Sequence, residues 1–172
     1  MRIKKYFTLV ILIAFVFSLS GCKNSTKHTE SVYNNDKFPS FSVENMEVYA
    51  GEDITVYVKL KDNPGFLTMA MNIEYDSTVM ALIDIKNGPD YEEYNFVGPK
   101  NRASGCTASW FIPELPDKIK DGKLLELHFT ILNNAKSGEY PIKITRPDNG
   151  GIVDAYKEIL VVNNAIGYIT VK

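Results

Sequence analysis

From Phe41 to the C-terminus, apolar and polar residues alternate in short runs, and a turn signal breaks the alternation every ten residues or so. "FSVENMEVYA" gives way to Gly51-Glu52-Asp53, "ITVYVKLKD" to "NPG", and "LTMAMNIEYD" and "VMALIDIKN" close at Gly88-Pro89. Beyond a loop rich in Asp, Glu and Tyr come "GCTASWFIP", "KLLELHFTIL", "GEYPIKIT", "EILVVNN" and "AIGYITVK". A period of two puts successive side chains on opposite faces of a strand, whereas a helix needs apolar residues three and four apart. Strands of this length and spacing predict an all-β antiparallel sandwich, not βαβ units. "STVMALIDI" also fits a turn of helix, but its β-branched residues favour a strand. Ser137-Gly138 marks a turn into a new strand.

In "GFLTMAMNIEYD", residues 65–76, the odd positions Met69, Met71, Ile73 and Tyr75 form an apolar face. The even positions Thr68, Ala70, Asn72 and Glu74 form a face of small or polar groups with a single carboxylate and no Lys or Arg. The first face packs a core. The second is either ordinary solvated surface or a flat platform for another protein. In "GCTASWF", Cys106, Ala108 and Trp110 share one face, and Thr107, Ser109 and Phe111 share the other. Trp110 reads as a core residue or as an exposed binding anchor, since Trp is enriched at binding hot spots.

The N-terminus carries a compartment signal. "MRIKK" is a short basic region, Tyr6 to Leu19 is an almost unbroken apolar run, and "SLSGC" follows, which is the layout of a secretory signal peptide. The run is about 14 residues, roughly 21 Å as a helix, which is short for a membrane span. Leu19-Ser20-Gly21-Cys22 resembles a bacterial lipobox, which implies acylation of the Cys22 thiol and cleavage before it. Residues 1–21 then form a lipoprotein signal peptide. Their removal takes away Arg2, Lys4 and Lys5 and no carboxylate, moving the formal charge from −2 to −5. That balance, with no Lys/Arg cluster, argues against a nucleic-acid partner. Several acyl chains, at about 0.8 kcal/mol per buried methylene, hold a protein firmly to a membrane. Residues 22–40 are the lipidated Cys and a polar, aperiodic tether with an r.m.s. span of roughly 20–25 Å. Abundant Lys, Asn and Ile point to a Gram-positive envelope, with the anchor on the extracellular face of the cell membrane. Cys106, the only other cysteine, lacks a disulfide partner and reads as a small buried hydrophobe.

"AGEDITVYVKL", "NPGFLTMAMNIEYDSTVMAL", "DGKLLELHFTILNNAKSGEYPIKI" and the closing "GYITV", in that order, resemble a cohesin domain over residues 41–172. The resemblance implies a nine-stranded jelly-roll sandwich that binds dockerins, small calcium-loaded helical modules attached to secreted enzymes. It also implies a docking face built from the third, fifth, sixth and eighth strands. "LTMAMNIEYD" is similar to the third strand and "GCTASWFIP" to the sixth. The implied face then comprises Thr68, Ala70, Asn72 and Glu74 with Thr107, Ser109 and Phe111. Ile152 and Val153, in "RPDNGGIVDAY", are candidates at one end of the face, near the eighth strand. Thr68 and Ala70 stand where many family members carry Asn and Asp, so the type of dockerin does not carry over. The expectation is a monomeric, non-catalytic adaptor with no cofactor of its own, the calcium belonging to the partner.

Catalytic chemistry finds little footing. His28 lies in the tether, and His128 alternates with Glu126 and Thr130 on a strand's outer face. No nucleophile elbow, Gly-rich phosphate loop or Cys/His metal spacing is present. "DYEEY" at 90–94 gathers three carboxylates, more simply solvated charge than acid–base or calcium machinery. "DNGG" at 148–151 reads as a turn. One alternative is a carbohydrate-binding surface lipoprotein using Tyr91, Tyr94, Phe96 and Phe111 as a platform. Another is a purely structural adhesin domain.

Overall fold

The computed structural model describes residues 38–114, 119–147, 151–154 and 157–172; the signal peptide, Cys22, His28, most of the tether and residues 148–150 of the "DNGG" turn lie outside the described residues. Every named element is a strand: β1 (Ser40–Val43), β2 (Met46–Val48), β3 (Asp53–Lys61), β4 (Phe66–Glu74), β5 (Met80–Asn87), β6 (Asn95–Val97), β7 (Cys106–Phe111), β8 (Gly122–Ile131), β9 (Gly138–Thr145), β10 (Ile152–Asp154), β11 (Ile159–Leu160) and β12 (Ala165–Val171). They form the two sheets of a jelly-roll sandwich. One sheet has the order β1-β3-β8-β5, and the other runs β11-β10-β4-β9-β12-β2, with β7 on the free side of β4 and β6 beyond β7.

β4 is the hub of the larger sheet. β7 lies along one edge, from Thr68 opposite Phe111 to Ile73 opposite Cys106. β10 and then β9 follow each other along the other edge, pairing at residues 66–69 and 72–74. Every named strand pair is antiparallel except β2 with β12. The turn into β4 depends on Gly65, whose φ of 77° is open to glycine at little cost. The Asn63 side-chain oxygen accepts from the Gly65 N–H, and its amide donates to the Lys120 carbonyl.

The core lies between the sheets and takes one parity from each long strand: Val56, Val58 and Leu60 of β3, Met69, Met71 and Ile73 of β4, and Leu125, Leu127, Phe129 and Ile131 of β8. Each such side chain contributes about 1.5–3 kcal/mol by leaving water. Trp110 is buried with them, which decides its orientation, and its ring packs on Phe96 with centroids 5.3 Å apart.

Three departures from the sequence reading concern the chain's path. "FSVENMEVYA" is not one strand. It changes sheets at Glu44-Asn45, sending β1 to one sheet and β2 to the other. β6 and β10 are additional short strands in segments read as loop and strand edge, so the described residues hold twelve strand segments where nine strands were expected. Tyr91 and Tyr94, read as an exposed platform, are 0% and 4% exposed, and they cluster with Phe66 at centroid distances of 6.1 and 4.6 Å. A half-buried Phe96 leaves only Phe111 of that foursome exposed, so the aromatic glycan platform is absent among the described residues.

Candidate docking face

With Met69, Met71, Ile73, Ala108 and Trp110 committed to the core, the opposite parity of β4 and β7 faces outward. Register then fixes the neighbours. Phe111, Thr68 and Val153 lie in one row across β7, β4 and β10, extended by Asn95 on β6 and Ile159 on β11. Val97, Ser109 and Ala70 form the next row, then Thr107, Asn72 and Thr145. Glu74 closes the grid opposite Lys143 of β9.

The two ends of this grid differ in chemistry. At the Asn72 end the Thr107 hydroxyl donates to Asn72 Oδ1 at 2.7 Å, and the Thr145 hydroxyl to Glu74 Oε1 at 3.2 Å. At the other end stand exposed apolar side chains: Val97 at 64%, Phe111 at 50% and Ile159 at 66%. Between them a shallow depression of about 300 Å³ opens where Ala70, Ser109 and Gly151 leave little bulk, floored by Met69 and Trp110 and walled by Thr68, Val153 and Ile159. A Cβ on Gly151 would stand 3.0 Å from Ile159 Cγ2 and 3.2 Å from the Leu160 carbonyl oxygen, so glycine allows this close approach.

The other sheet presents a different surface. Its outer face carries the ion pairs Lys59–Glu44 and Lys86–Asp84, and Asp84 also pairs with Arg102. His128 Nε2 stands 2.6 Å from Glu126 Oε1, its Nδ1 3.2 Å from the Thr55 hydroxyl, and Lys123 sits 3.8 Å above the Tyr57 ring. Charged groups that engage each other resist desolvation by a partner. The uncharged centre of the β4–β7 face meets no such obstacle.

A family model described as Cohesin domain matches residues 39–166. The chain belongs to the cohesin family. No curated protein sequence matches it. Among solved structures, a chain of the Coh-OlpA–Doc918 complex, a type I cohesin–dockerin complex from Clostridium thermocellum, is similar at 21% identity and TM-score 0.66, covering 79% of this chain and 100% of that one. A non-cellulosomal cohesin from Archaeoglobus fulgidus gives 14% identity and TM-score 0.66 over 79% and 92% of the two chains. CaCohA2 from Clostridium acetobutylicum gives 20% identity and TM-score 0.61 over 79% and 92%. At such identities these likenesses establish the fold, and the family makes the chain a protein-interaction module and not an enzyme.

Within this cohesin, Thr68, Ala70, Asn72, Glu74, Thr107, Ser109 and Phe111 fall on one outward face. Ile152 does not. It pairs with Met69, shares its inward parity and is 0% exposed; Val153, one residue on, points outward beside Thr68. The sequence reading missed Val97, Ile159, Lys143 and Thr145. Lys143 and Thr145 carry a signal in the alternation of "GEYPIKIT", whereas β6 and β11 are too short to show a period. "DYEEY" is structural at its start: Asp90 accepts from the Lys123 N–H at 2.7 Å, and the Tyr91 hydroxyl donates to the Lys120 carbonyl at 2.7 Å. Cys106 is free and half-buried, and burial pushes its thiol pKa up, away from reactivity.

Proposed function

We propose that this cohesin docks a dockerin on the β6–β7–β4–β10 face. Held by lipid on Cys22 at the extracellular side of the cell membrane, it tethers a dockerin-bearing polysaccharide-degrading enzyme or scaffold protein. The observation that carries the reading is the contrast between the sheets: one outer face is engaged in ion pairs, while the other has a small, uncharged centre beside exposed Phe111, Val97 and Ile159. The chain acts as a monomer without a cofactor, calcium residing on the dockerin. An interface of standard size, ~800 Å² per partner, would cover this grid, with a few apolar anchors dominating.

Capture from culture fluid with this chain as bait, with and without EDTA, tests the reading. Calcium-dependent recovery of proteins sharing a duplicated calcium-loop module is the expected result. Ala70→Arg and Ser109→Arg each abolish that recovery while thermal melting stays unchanged, because a long cation at the centre of a desolvated face remains unpaired. Full recovery by both folded variants would move docking off this face. Cys22→Ala tests the anchor separately and shifts the chain from the membrane fraction to the medium.

A further inference from the structure

We propose that the depression between β7, β4 and β10 seats one large apolar side chain of the dockerin, and that Ala70, Ser109 and Gly151 select the partner by staying small. The proposal rests on the docking reading and adds which chemistry the docked module must present.

The lining supports an apolar occupant. Val153, Ile159 and the Ala70 methyl contribute carbon surface, and Met69 and Trp110 lie beneath with their side chains in the core. The only side-chain polar groups on the outward positions are the hydroxyls of Thr68 and Ser109, and no ionisable side chain is part of the lining. Arg146 is outside the lining, but its Cδ lies 3.9 Å from where a Cβ on Gly151 would stand. A depression of about 300 Å³ is roomy enough to fill with water in the free chain. Water against such a lining makes few hydrogen bonds, and an apolar group that displaces it gains affinity. At the opposite end of the face, the Thr107 and Thr145 hydroxyl protons are already given to Asn72 and Glu74. Those two hydroxyls have little left to donate to a partner, whereas the depression at the apolar end is open to a side chain.

The test uses a calcium-loaded dockerin scaffold with its helix-surface positions randomised, displayed and selected against this chain. Expected is strong enrichment of a large apolar residue at one helix position. Truncating it to Ala weakens binding at least tenfold against the unaltered chain but less than threefold against Ala70→Leu, where leucine already fills the seat. Ser109→Leu repeats this comparison from the neighbouring strand should Ala70→Leu fail to melt like the parent. Enrichment of hydroxyl, amide or charged residues at every position, or the same loss against filled and unfilled seats, overturns the seat while leaving docking intact. Absence of any calcium-dependent binder in the library overturns the docking reading and the seat together.

Discussion

Asn87, at the end of β5, joins the two sheets by a side chain. Its Oδ1 accepts the indole N–H of Trp110 at 2.8 Å, and its amide donates to the carbonyls of Tyr91 and Tyr94, the latter at 3.1 Å. A buried indole N–H without an acceptor carries a desolvation cost, so Asn87 helps hold Trp110 inward, and that orientation turns Ser109 and Phe111 outward. Asn87→Ala leaves the indole N–H and two loop carbonyls without these partners, and we expect a loss of about 1–3 kcal/mol. Trp110 is the only tryptophan, so urea denaturation followed by its fluorescence reads this site directly. A midpoint equal to the parent's would show that water replaces Asn87 without penalty.

At the scale of elements, legibility followed strand length. β4 and β7 run for 9 and 6 residues, enough for alternation to separate a core face from an open one before any pairing is known. β10 has 3 residues, and the parity of Ile152 is set by pairing with Met69, a contact the local sequence does not announce. The split in "FSVENMEVYA" leaves a local trace, since the apolar positions change parity across Glu44-Asn45 from Phe41 and Val43 to Met46 and Val48. The partner of each half is tertiary: β1 pairs with β3, and it passes so near β12 that a Cβ on Gly167 would stand 2.5 Å from Val43 Cγ1. Tyr91 and Tyr94 were misread because three adjacent carboxylates make their loop look solvated, while its aromatic residues fold under onto Phe66. In the assembled grid Glu74 and Lys143 stand at one end, and Arg146 lies beside Gly151 at the other, leaving the centre uncharged. Surface charges lose most of their influence beyond roughly 10 Å at 0.1 M salt. Dockerin affinity should therefore change by less than about threefold between 50 and 500 mM NaCl, a range over which steered, charge-led interfaces weaken strongly. Isothermal titration at both salt concentrations checks this, and a tenfold loss would mean that charge pairs at the rim dominate.

For the whole molecule, the aromatic cluster of Phe66, Tyr91 and Tyr94 couples folding to alkaline pH. Burial, reinforced by the Glu93 carboxylate, pushes the Tyr94 phenol up to about 12, and burial raises Tyr91 further still, aided by Tyr94 and the Asp121 carboxylate. Burial also raises Tyr75, whose ring meets Phe129 edge-on at 5.1 Å. In the unfolded chain these phenols ionise near their ordinary value of 10.0. A folded-state pKa above the unfolded one means that the neutral, proton-bound form belongs to the native state. Its contribution is complete below pH 10 and disappears as pH rises through 10 towards 12 and beyond. Thermal melting should thus be insensitive to these tyrosines up to about pH 9.5 and fall steadily above it, with phenolate absorbance appearing as the chain unfolds. Tyr94→Phe retains the ring against Phe66 and removes one of the titrating groups, so its melting temperature should fall less steeply over the same range. Equal slopes for parent and Tyr94→Phe would show that this phenol does not govern the alkaline limit, and the loss of stability would then lie with Tyr91 and Tyr75.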